Sequence, residues 1–214
     1  MLLYRNYCKR ALDVVAASLG LLVLSGPLGL VACLVRWKLG SPVMFRQERP
    51  GLRARTFRLV KFRTMTDEKN ADGHLLPDSV RLTQFGRFLR KTSLDEFPEL
   101  WNVLKGDMSL VGPRPLLNEY LPHYTQREAS RHDVRPGITG LAQVSGRNCL
   151  GWDERLELDA QYVERLTFGR DMTILWRTLL SVLKRSGIST DTSLIESNFA
   201  AERSSLATNE RNSK

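Results

Sequence analysis

The most marked feature of the hydropathy pattern is an apolar run without a charged residue over residues 14–35. A single straight helix of this length could span a bilayer. Ser25-Gly26-Pro27 interrupts the run, however, and its halves of about eleven and eight residues would reach only about 16 and 12 Å, whereas the hydrocarbon core is about 30 Å thick. The pattern therefore predicts a kinked helix whose break lies at Ser25 and Pro27.

Positive charges flank this apolar run on both sides. The basic residues are Arg5, Lys9 and Arg10 before it, and Arg36, Lys38, Arg46 and Arg49 after it. Positive flanks mark the cytoplasmic side of a membrane segment, and a segment that enters and leaves by the same face satisfies both. We therefore predict a re-entrant helical hairpin that penetrates one leaflet, with the carbonyl groups freed near Pro27 satisfied by Ser25 or by neighbouring helices.

Two other interpretations of the apolar run stay open. A straight transmembrane helix is one, because a Gly-Pro pair can be tolerated within a membrane helix. The other is a lipoprotein signal, because Leu30-Val31-Ala32-Cys33 resembles a cleavage box and would leave Cys33 as a lipidated first residue. Apolar and then basic residues continue past Cys33, which argues against the second alternative.

The rest of the pattern predicts a single globular α/β domain that is mostly helical and carries a small β-hairpin. Two β-rich runs within residues 42–65 are separated by the turn signal Arg49-Pro50-Gly51. Apolar residues at helical spacing predict the main helices. These cover residues 82–90, 117–131 with an interruption at Pro122, 152–168 and 172–185.

The C-terminal part of the pattern predicts an amphipathic helix and then a polar tail. Asp171 is expected to cap the last helix, whose apolar stripe and Trp176 suit either a membrane interface or a packed core. Residues 190–214 are polar and rich in Ser and Asn, which predicts disorder. The chain thus divides into an anchor over residues 1–40, a globular domain over 41–189 and a tail over 190–214.

The charge balance points to a polyanionic partner. With 32 Lys and Arg against 23 Asp and Glu, the net charge is +9. Such an excess suits nucleic acid, an anionic membrane face or phosphorylated substrates. The basic residues are dispersed and form no nucleic-acid motif, so nucleic acid is not expected as a partner. Three widely spaced cysteines without a Cys-x-x-Cys pair predict no disulfide framework and no zinc site.

The candidate chemistry lies in an Asp-Glu pair next to a predicted helix start. Pro98 fits only near the first turn of a helix, so this helix should begin within residues 93–96. Asp95 and Glu96 would then lie at its positive end, where a phosphate could also bind. The alternative is a capping box, because Ser93 and Glu96 have the required spacing.

A rigid arginine follows downstream of the acid pair. Gly112-Pro113-Arg114-Pro115 holds a guanidinium in a loop stiffened on both sides, and the fixed fork of Arg suits a phosphate. Arg90, just before the acid pair, is either a helix C-terminal charge or a second phosphate ligand. An acid pair, an anion-binding helix end and a rigid Arg together indicate phosphoryl chemistry.

These segments resemble a known family. The sequence TSLDEFPELWNVLKGDMSLVGPRPLL, with KFRTM before it and RHDVRPGITGLAQVSGRN after it, resembles the small monotopic phosphoglycosyl transferases of bacteria, in the bacterial sugar transferase family. The resemblance covers about residues 9–189 and implies the same re-entrant anchor, although Gly26 splits the usual adjacent Ser-Pro. It also implies transfer of sugar-1-phosphate from a UDP-sugar to polyprenyl (undecaprenyl) phosphate, with release of UMP.

The resemblance also implies roles for individual residues. Asp95 would be the nucleophile that forms an aspartyl phosphosugar in a ping-pong reaction. Glu96 would hold Mg²⁺, with Lys61, Arg90 and Arg114 near the substrate phosphates. Arg147, in the loop Ser145-Gly146-Arg147-Asn148, could close over the nucleotide or lie in a plain surface turn. Asp159 would belong to the active site by orienting an Arg or the substrate. A Lys on a strand, such as Lys61, is otherwise usually solvated.

The partners and the location follow from the same resemblance. They are a UDP-sugar, polyprenyl phosphate and an anionic phospholipid membrane, at the cytoplasmic face of the bacterial inner membrane, and a homo-oligomer stays open as a further partner. Two rival hypotheses remain: a basic membrane-associated scaffold in which Asp95 and Glu96 only cap a helix, and direct transfer without a covalent intermediate. No residue visibly selects the sugar. The resemblance is close to members that handle acetylated amino-sugars of the bacillosamine type, but galactose, glucose and N-acetylgalactosamine donors occur in relatives.

Overall fold

The computed structural model describes residues 4–146, 150–184 and 199–203. Over these residues the fold is mostly helical, as predicted, with a small antiparallel hairpin and one long apolar N-terminal helix. The α-helices are α1 (Lys9–Leu39), α2 (Asp78–Arg81), α3 (Gln84–Lys91), α4 (Glu99–Lys105), α5 (Gln126–Ala129), α6 (Leu141–Ser145), α7 (Trp152–Glu164) and α8 (Phe168–Leu183). The strands are β1 (Met44–Pro50), β2 (Thr56–Phe62), β3 (Ser109–Val111) and β4 (Gly137–Thr139).

Helix α1 runs through the predicted break as one helix of 31 residues. Pro27 lies inside it, and the Ser25 hydroxyl donates to the Leu22 carbonyl oxygen at 2.8 Å. In the described part of the chain this is the one helix long and apolar enough to cross a membrane. The expected interruption at Ser25 and Pro27 is therefore not seen in the secondary structure, because Pro27 removes only one of the backbone hydrogen bonds along the helix.

Both ends of α1 pack against the globular part of the chain. Near its start, Lys9 pairs with Asp171 of α8 at 2.6 Å, and Arg10 donates to the carbonyl oxygens of Val103 and Leu104 at 2.5 and 2.8 Å. Both oxygens lie in the last turn of α4, where carbonyl groups lack their full set of helical partners, and the Val103 oxygen also accepts from the Gly106 N–H at 3.1 Å. Near the end of α1, Val35 and Leu39 are buried in one cluster with Phe62 of β2 and Leu89 of α3.

Most of α1 between these attachments is exposed and apolar. The large hydrophobic side chains exposed on this helix are Leu12, Val15, Leu19, Leu22, Val23, Leu30 and Trp37. An exposed apolar surface of this extent marks a site that contacts protein or membrane.

The predicted β-hairpin is present. Strands β1 and β2 pair antiparallel from Met44 opposite Phe62 to Pro50 opposite Thr56, and the connection closes through the Gly51 N–H to Arg55 oxygen bond at 2.8 Å. Helix α4 is fixed to this hairpin by Asn102, whose side chain accepts from the Val60 N–H at 3.0 Å and donates to the Arg58 oxygen at 2.7 Å. The hairpin thus carries β2 directly alongside the helix that follows the Asp-Glu pair.

A second small sheet, not expected from the sequence, supports the Arg114 loop. Strands β3 and β4 are parallel, and the Gly112 N–H donates to the Thr139 oxygen at 2.9 Å while the Gly137 N–H donates to the Pro113 oxygen at 3.0 Å. The two backbones approach so closely that a Cβ atom on Gly137 would lie 2.1 Å from the Gly112 nitrogen. Only glycine fits there, and the loop that carries Arg114 is held along a strand.

Two local predictions are corrected by the structure. The helix over residues 117–131 is instead a 3₁₀ segment (Asn118–His123), the short α5 and a second 3₁₀ segment (Ser130–Asp133). Asp171 does not cap α8, because the Thr167 hydroxyl accepts from the Arg170 N–H in that role. The carboxylate of Asp171 is buried and accepts from the Tyr4 and Tyr162 hydroxyls at 2.7 and 2.8 Å, as well as from Lys9.

Within the tail that the sequence predicts to be disordered, residues 199–203 form a helical turn, and residues 190–198 and 204–214 lie outside the described part of the chain. Phe199 is completely buried in an apolar cluster with Leu116, Tyr120, Trp152 and Leu156. Phe199 anchors this turn on the domain, because burying a Phe stabilises the contact by about 1.5–3 kcal/mol.

Candidate active site

The Asp-Glu pair lies before helix α4 and does not cap it. Asp95 and Glu96 are in a 3₁₀ turn (Leu94–Glu96), Pro98 precedes the first residue of α4, and the helix begins at Glu99. The helix start predicted within residues 93–96 is therefore wrong by a few residues. Ser93 has a left-handed backbone (φ 55°, ψ 18°), and its side chain makes no capping hydrogen bond. The capping-box alternative is thus excluded for Ser93 and Glu96.

Asp95 is a buried carboxyl group surrounded by charges from several elements. Its side chain is almost inaccessible, and burial, followed by the charge of Glu96, raises its pKa to about 6. Lys61 of β2, Arg90 of α3 and Arg114 of the loop after β3 act in the opposite direction and favour the carboxylate. Five residues singled out from the sequence are therefore brought to one place, namely Asp95, Glu96, Lys61, Arg90 and Arg114.

Glu96 has the opposite electrostatic character. Burial alone would raise its pKa, but Arg114, then Lys61 and Arg90, outweigh burial, and the pKa is lowered. The Arg114 Nη2 donates to Glu96 Oε1 at 2.7 Å, which is a short charge-assisted hydrogen bond. Two adjacent carboxyl groups whose pKa values are pushed apart are typical of sites where the two perform different tasks.

Each cation near Asp95 is positioned by its own element. Arg90, near the end of α3, donates from Nε to the Thr64 hydroxyl at 3.1 Å. Helix α3 can approach the Thr64 backbone only because residue 86 is glycine, since a Cβ there would lie 1.8 Å from the Thr64 oxygen. The Lys61 Nζ lies 5.5 Å from the centroid of the Phe45 ring across the hairpin.

The backbone of Arg114 is held by a buried ion pair between Arg131 and Asp159. Arg131 donates from Nη2 to the Arg114 carbonyl oxygen and to Asp159 Oδ2, both at 2.7 Å, and from Nη1 to the Tyr124 hydroxyl at 2.9 Å. The side chains of Arg131 and Asp159 are both almost completely buried. Asp159 is therefore connected to the Arg114 loop through Arg131. Arg131 was not singled out from the sequence, because a buried Arg cannot be distinguished from the many surface ones.

The remaining substrate candidate, Arg147, lies outside the described residues. The described residues on either side of this gap are Gly146 and Leu150, and α7 begins at Trp152.

Glu99 is a third acidic residue that the sequence analysis did not identify. It is the first residue of α4 and is buried, and its pKa is raised to about 8 by burial and by the charges of Glu96 and Asp95. The available signal was its position three residues after Glu96, which places the two carboxyl groups one turn apart. With this pKa, Glu99 is largely neutral at pH 7 and adds little negative charge to the site.

A stability prediction follows from Glu99. A carboxyl group whose pKa is higher in the folded than in the unfolded chain destabilises the fold as pH rises from about 4 to 8. We expect Glu99→Gln to remove this penalty and to stabilise the protein at pH 8 by on the order of 3 kcal/mol, with no gain near pH 4. Thermal unfolding in detergent at both pH values, without added divalent ions, measures the effect.

The control for this variant is Glu154→Gln, which neutralises an exposed side chain on α7. The control should leave the unfolding temperature nearly unchanged at both pH values. Loss of stability in Glu99→Gln at pH 8 would contradict the prediction and would mean that the ionised Glu99 is favourably bound.

The described residues contain no preformed cluster of three or more side chains that could hold a metal ion. This does not conflict with Mg²⁺, which is commonly held by one or two carboxylates together with substrate phosphates and waters. Glu96 fits such a role, since it is ionised and lies next to Asp95. The donor set thus suits a cation that arrives with a phosphorylated substrate.

The domain that carries this site matches a known protein family. The family model described as bacterial sugar transferase matches residues 4–185, and the chain therefore belongs to that family. This confirms the resemblance to phosphoglycosyl transferases that the sequence motifs predict.

Three relatives illustrate the similarity. The chain is 54% identical over 180 residues to the uncharacterized sugar transferase EpsL of Bacillus subtilis, covering 84% of this chain and 89% of that one. It is 38% identical over 199 residues to the undecaprenyl-phosphate galactose phosphotransferase of Salmonella typhimurium, covering 85% of this chain and 42% of that one. It is 43% identical over 193 residues to the UDP-glucose:undecaprenyl-phosphate glucose-1-phosphate transferase of Caulobacter vibrioides, covering 82% of this chain and 69% of that one. The chain thus spans most of the Bacillus protein and less than half of the Salmonella protein.

Proposed function

We propose that the protein transfers sugar-1-phosphate from a UDP-sugar to polyprenyl phosphate, with undecaprenyl phosphate as the acceptor, and releases UMP. The Salmonella and Caulobacter relatives carry names that describe reactions of this type. The observation that carries the proposal is the burial of Asp95 among Lys61, Arg90 and Arg114, together with the absence of a capping role for the acid pair. A non-catalytic scaffold would gain nothing from a buried carboxylate of this kind, because burial of charge costs stability.

The reaction proceeds in two displacements at one phosphorus atom. A carboxylate oxygen of Asp95 attacks the β-phosphorus of the UDP-sugar, the bond to the bridging oxygen breaks, and UMP leaves with the electron pair. The phosphate oxygen of the polyprenyl phosphate then attacks the same phosphorus and displaces the Asp95 carboxylate, which is regenerated. One phosphoanhydride is replaced by another, so no further reactant is required.

The residues around Asp95 have separate tasks in this scheme. Lys61, Arg90 and Arg114 neutralise the charge on the phosphoryl oxygens as two anions approach each other. Glu96 would hold Mg²⁺, which supplies additional charge neutralisation when it is bound with the substrate. The ion pair of Arg114 with Glu96 fixes the guanidinium and the carboxylate relative to each other before the substrate arrives.

The attachment of α1 supports a location on one side of the membrane. The start of α1 contacts Asp171 and the end of α4, and its other end packs on Phe62 and Leu89. A helix that crossed the bilayer would carry one end about 30 Å away from a domain on the other side. We propose that α1 inserts into the cytoplasmic leaflet and returns, as a bent re-entrant segment in the bacterial inner membrane.

Helix α8 supplies a second apolar surface for the same membrane face. Its exposed hydrophobic side chains recur every three or four residues and therefore form one stripe. They are Phe168, Met172, Trp176, Leu179 and Leu183. We propose that this stripe lies in the interface, where Trp is favoured and where a net positive protein is attracted to anionic lipids.

The experiment that tests the proposed function uses the purified protein in nanodiscs with Mg²⁺ and a panel of UDP-sugars, without lipid acceptor. We expect a covalent adduct with the mass of one phosphosugar for the correct donor, and a matching release of UMP. Intact-protein mass spectrometry detects the adduct and identifies the donor sugar together. If no donor gives an adduct but UMP appears once polyprenyl phosphate is added, the transfer is direct and the covalent step is wrong.

A further inference from the structure

The C-terminal helical turn of residues 199–203 docks next to the elements that hold Arg114. We propose that this turn, here termed the strap, is a positioning element that keeps the Arg114 loop and the start of α7 in their donor-binding arrangement. The strap lies beyond residues 4–185, the part of the chain that the family model matches. The kinetic part of this proposal rests on the proposed function, whereas the docking itself does not.

The apolar contact of the strap is made by Phe199. Its ring centroid lies 5.0 Å from that of Tyr120 and 4.9 Å from that of Trp152, and the Phe199 side chain is fully buried. Leu116, two residues after Arg114, belongs to the same cluster. One side chain of the tail therefore joins the segment that leaves the Arg114 loop to the first residue of α7.

The polar contact of the strap is made by Arg203. Its Nη2 donates to Glu128 Oε1 at 2.5 Å and to Asp153 Oδ1 at 2.6 Å. Glu128 belongs to α5 and Asp153 to the first turn of α7. Arg203 thus connects the same two parts of the structure that the Arg131–Asp159 pair connects.

Glu128 links the Arg203 contact to the segment that carries Arg131. Its other oxygen, Oε2, accepts from the Thr125 N–H at 2.7 Å in a capping box that fixes the start of α5. The segment after α5 carries Arg131, which binds the Arg114 carbonyl oxygen. The strap therefore reaches Arg114 along two routes, through Leu116 and through Glu128 and Arg131.

The functional consequence concerns the first half of the reaction. Arg114 contacts the donor phosphates in the proposed mechanism, and the strap joins the segment that follows Arg114 to the first turn of α7. Loss of the strap should let Arg114 drift from its position, and small displacements of substrate-positioning groups are costly in catalysis. We expect kcat/KM for the UDP-sugar to fall by about tenfold, with no comparable change in kcat/KM for polyprenyl phosphate.

The test compares two truncated chains and one point variant in nanodiscs. Truncation after residue 198 removes the strap, truncation after residue 203 keeps it and is the matched control, and Phe199→Ala removes only the apolar contact. Phe199→Leu, which keeps most of the buried volume, should restore much of the lost kcat/KM. Steady-state kinetics with each substrate varied in turn gives the two kcat/KM values.

Amide hydrogen exchange of the same proteins gives a readout that does not depend on activity. Removal of the strap should speed exchange in residues 112–120 and at the start of α7, whereas truncation after residue 203 should not. Unchanged exchange would overturn the docking, and faster exchange with unchanged kinetics would overturn the positioning role. If the full-length protein used no UDP-sugar, the proposed function would fail, and faster exchange across the Arg114 loop would still establish the strap.

Discussion

Replacing Asp95 by Asn is expected to lower the turnover of UDP-sugar by at least about 10³-fold, because removal of a nucleophile usually costs this much or more. The amide keeps the shape of the side chain but cannot form the acyl phosphate. The covalent phosphosugar adduct should disappear in the same variant. Both effects are measured with the purified protein, by UMP release with lipid acceptor present and by intact mass without it.

The stability of Asp95→Asn separates loss of chemistry from loss of fold. Burial and Glu96 raise the pKa of Asp95 to about 6 in the folded protein, above its value in an unfolded chain. Above pH 6 the ionised Asp95 therefore destabilises the fold, and Asn removes that penalty. The unfolding temperature at pH 7.5 should stay the same or rise.

A surface variant provides the control for the removed charge. Asp67 pairs with Arg63 and is largely exposed, so Asp67→Asn should retain full activity. Loss of a nucleophile lowers the rate by orders of magnitude. If Asp95→Asn kept more than about a tenth of the wild-type rate, the nucleophile assignment would therefore be wrong, and Asp95 would serve only as a general base or a metal ligand.

Replacing Asp159 by Asn is expected to cause the largest loss of stability, about 3–5 kcal/mol. The change leaves the buried guanidinium of Arg131 without its counter-ion, and that uncompensated charge is the source of the cost. Burial alone would lower the pKa of Arg131, but the charge of Asp159, followed by that of Tyr124, outweighs burial and the pKa is raised, so the guanidinium stays charged and depends on this counter-ion. Chemical unfolding at pH 7.5 measures the effect.

Glu157→Gln is the matched control for this variant. Glu157 lies two residues earlier on α7 and also pairs with an Arg of the α5 region, but its contact with Arg127 is exposed to solvent. Exposed pairs contribute little, so the control should lose a small fraction of what Asp159→Asn loses. Equal losses in the two variants would mean that Arg131 finds another partner or water when Asp159 is neutral.

The activity of Asp159→Asn should fall as well, because Arg131 also binds the Arg114 carbonyl oxygen. At a temperature where the variant is still folded, we expect kcat/KM for the UDP-sugar to fall while the rate of amide hydrogen exchange in α8 changes little. This pattern would distinguish displacement of Arg114 from general loosening of the domain.

The sequence was informative about the site wherever a residue type limits its own environment. Pro98 restricts where α4 can start, the prolines on either side of Arg114 predict a stiff loop, and Lys61, Arg90 and Arg114 do lie around Asp95. The exact helix start was missed because Ser93 adopts a left-handed backbone that a capping box does not have. Local spacing alone cannot reveal such a conformation.

Other features were missed because they depend on tertiary contacts. Strands β3 and β4 have only three residues each, too few to show a periodic pattern, and they pair across a separation of more than twenty residues. Arg131 and Glu99 could be recognised as residues of the site only once the structure showed that their side chains are buried. Asp171 has the sequence position of a helix cap, yet it binds Tyr4, Lys9 and Tyr162 from distant parts of the chain.

The attachment of α1 at both ends also bears on how the protein can be handled. Ala17 of α1 is buried against Leu100 and Val103, and Val35 and Leu39 complete the cluster around Phe62. Shortening the chain from the N-terminus to obtain a water-soluble form would therefore uncover two apolar clusters rather than release an intact domain. One side of α1 completes the apolar clusters of the domain, and the other side exposes large hydrophobic side chains. Purification therefore has to retain α1 together with a lipid or detergent that covers this exposed side.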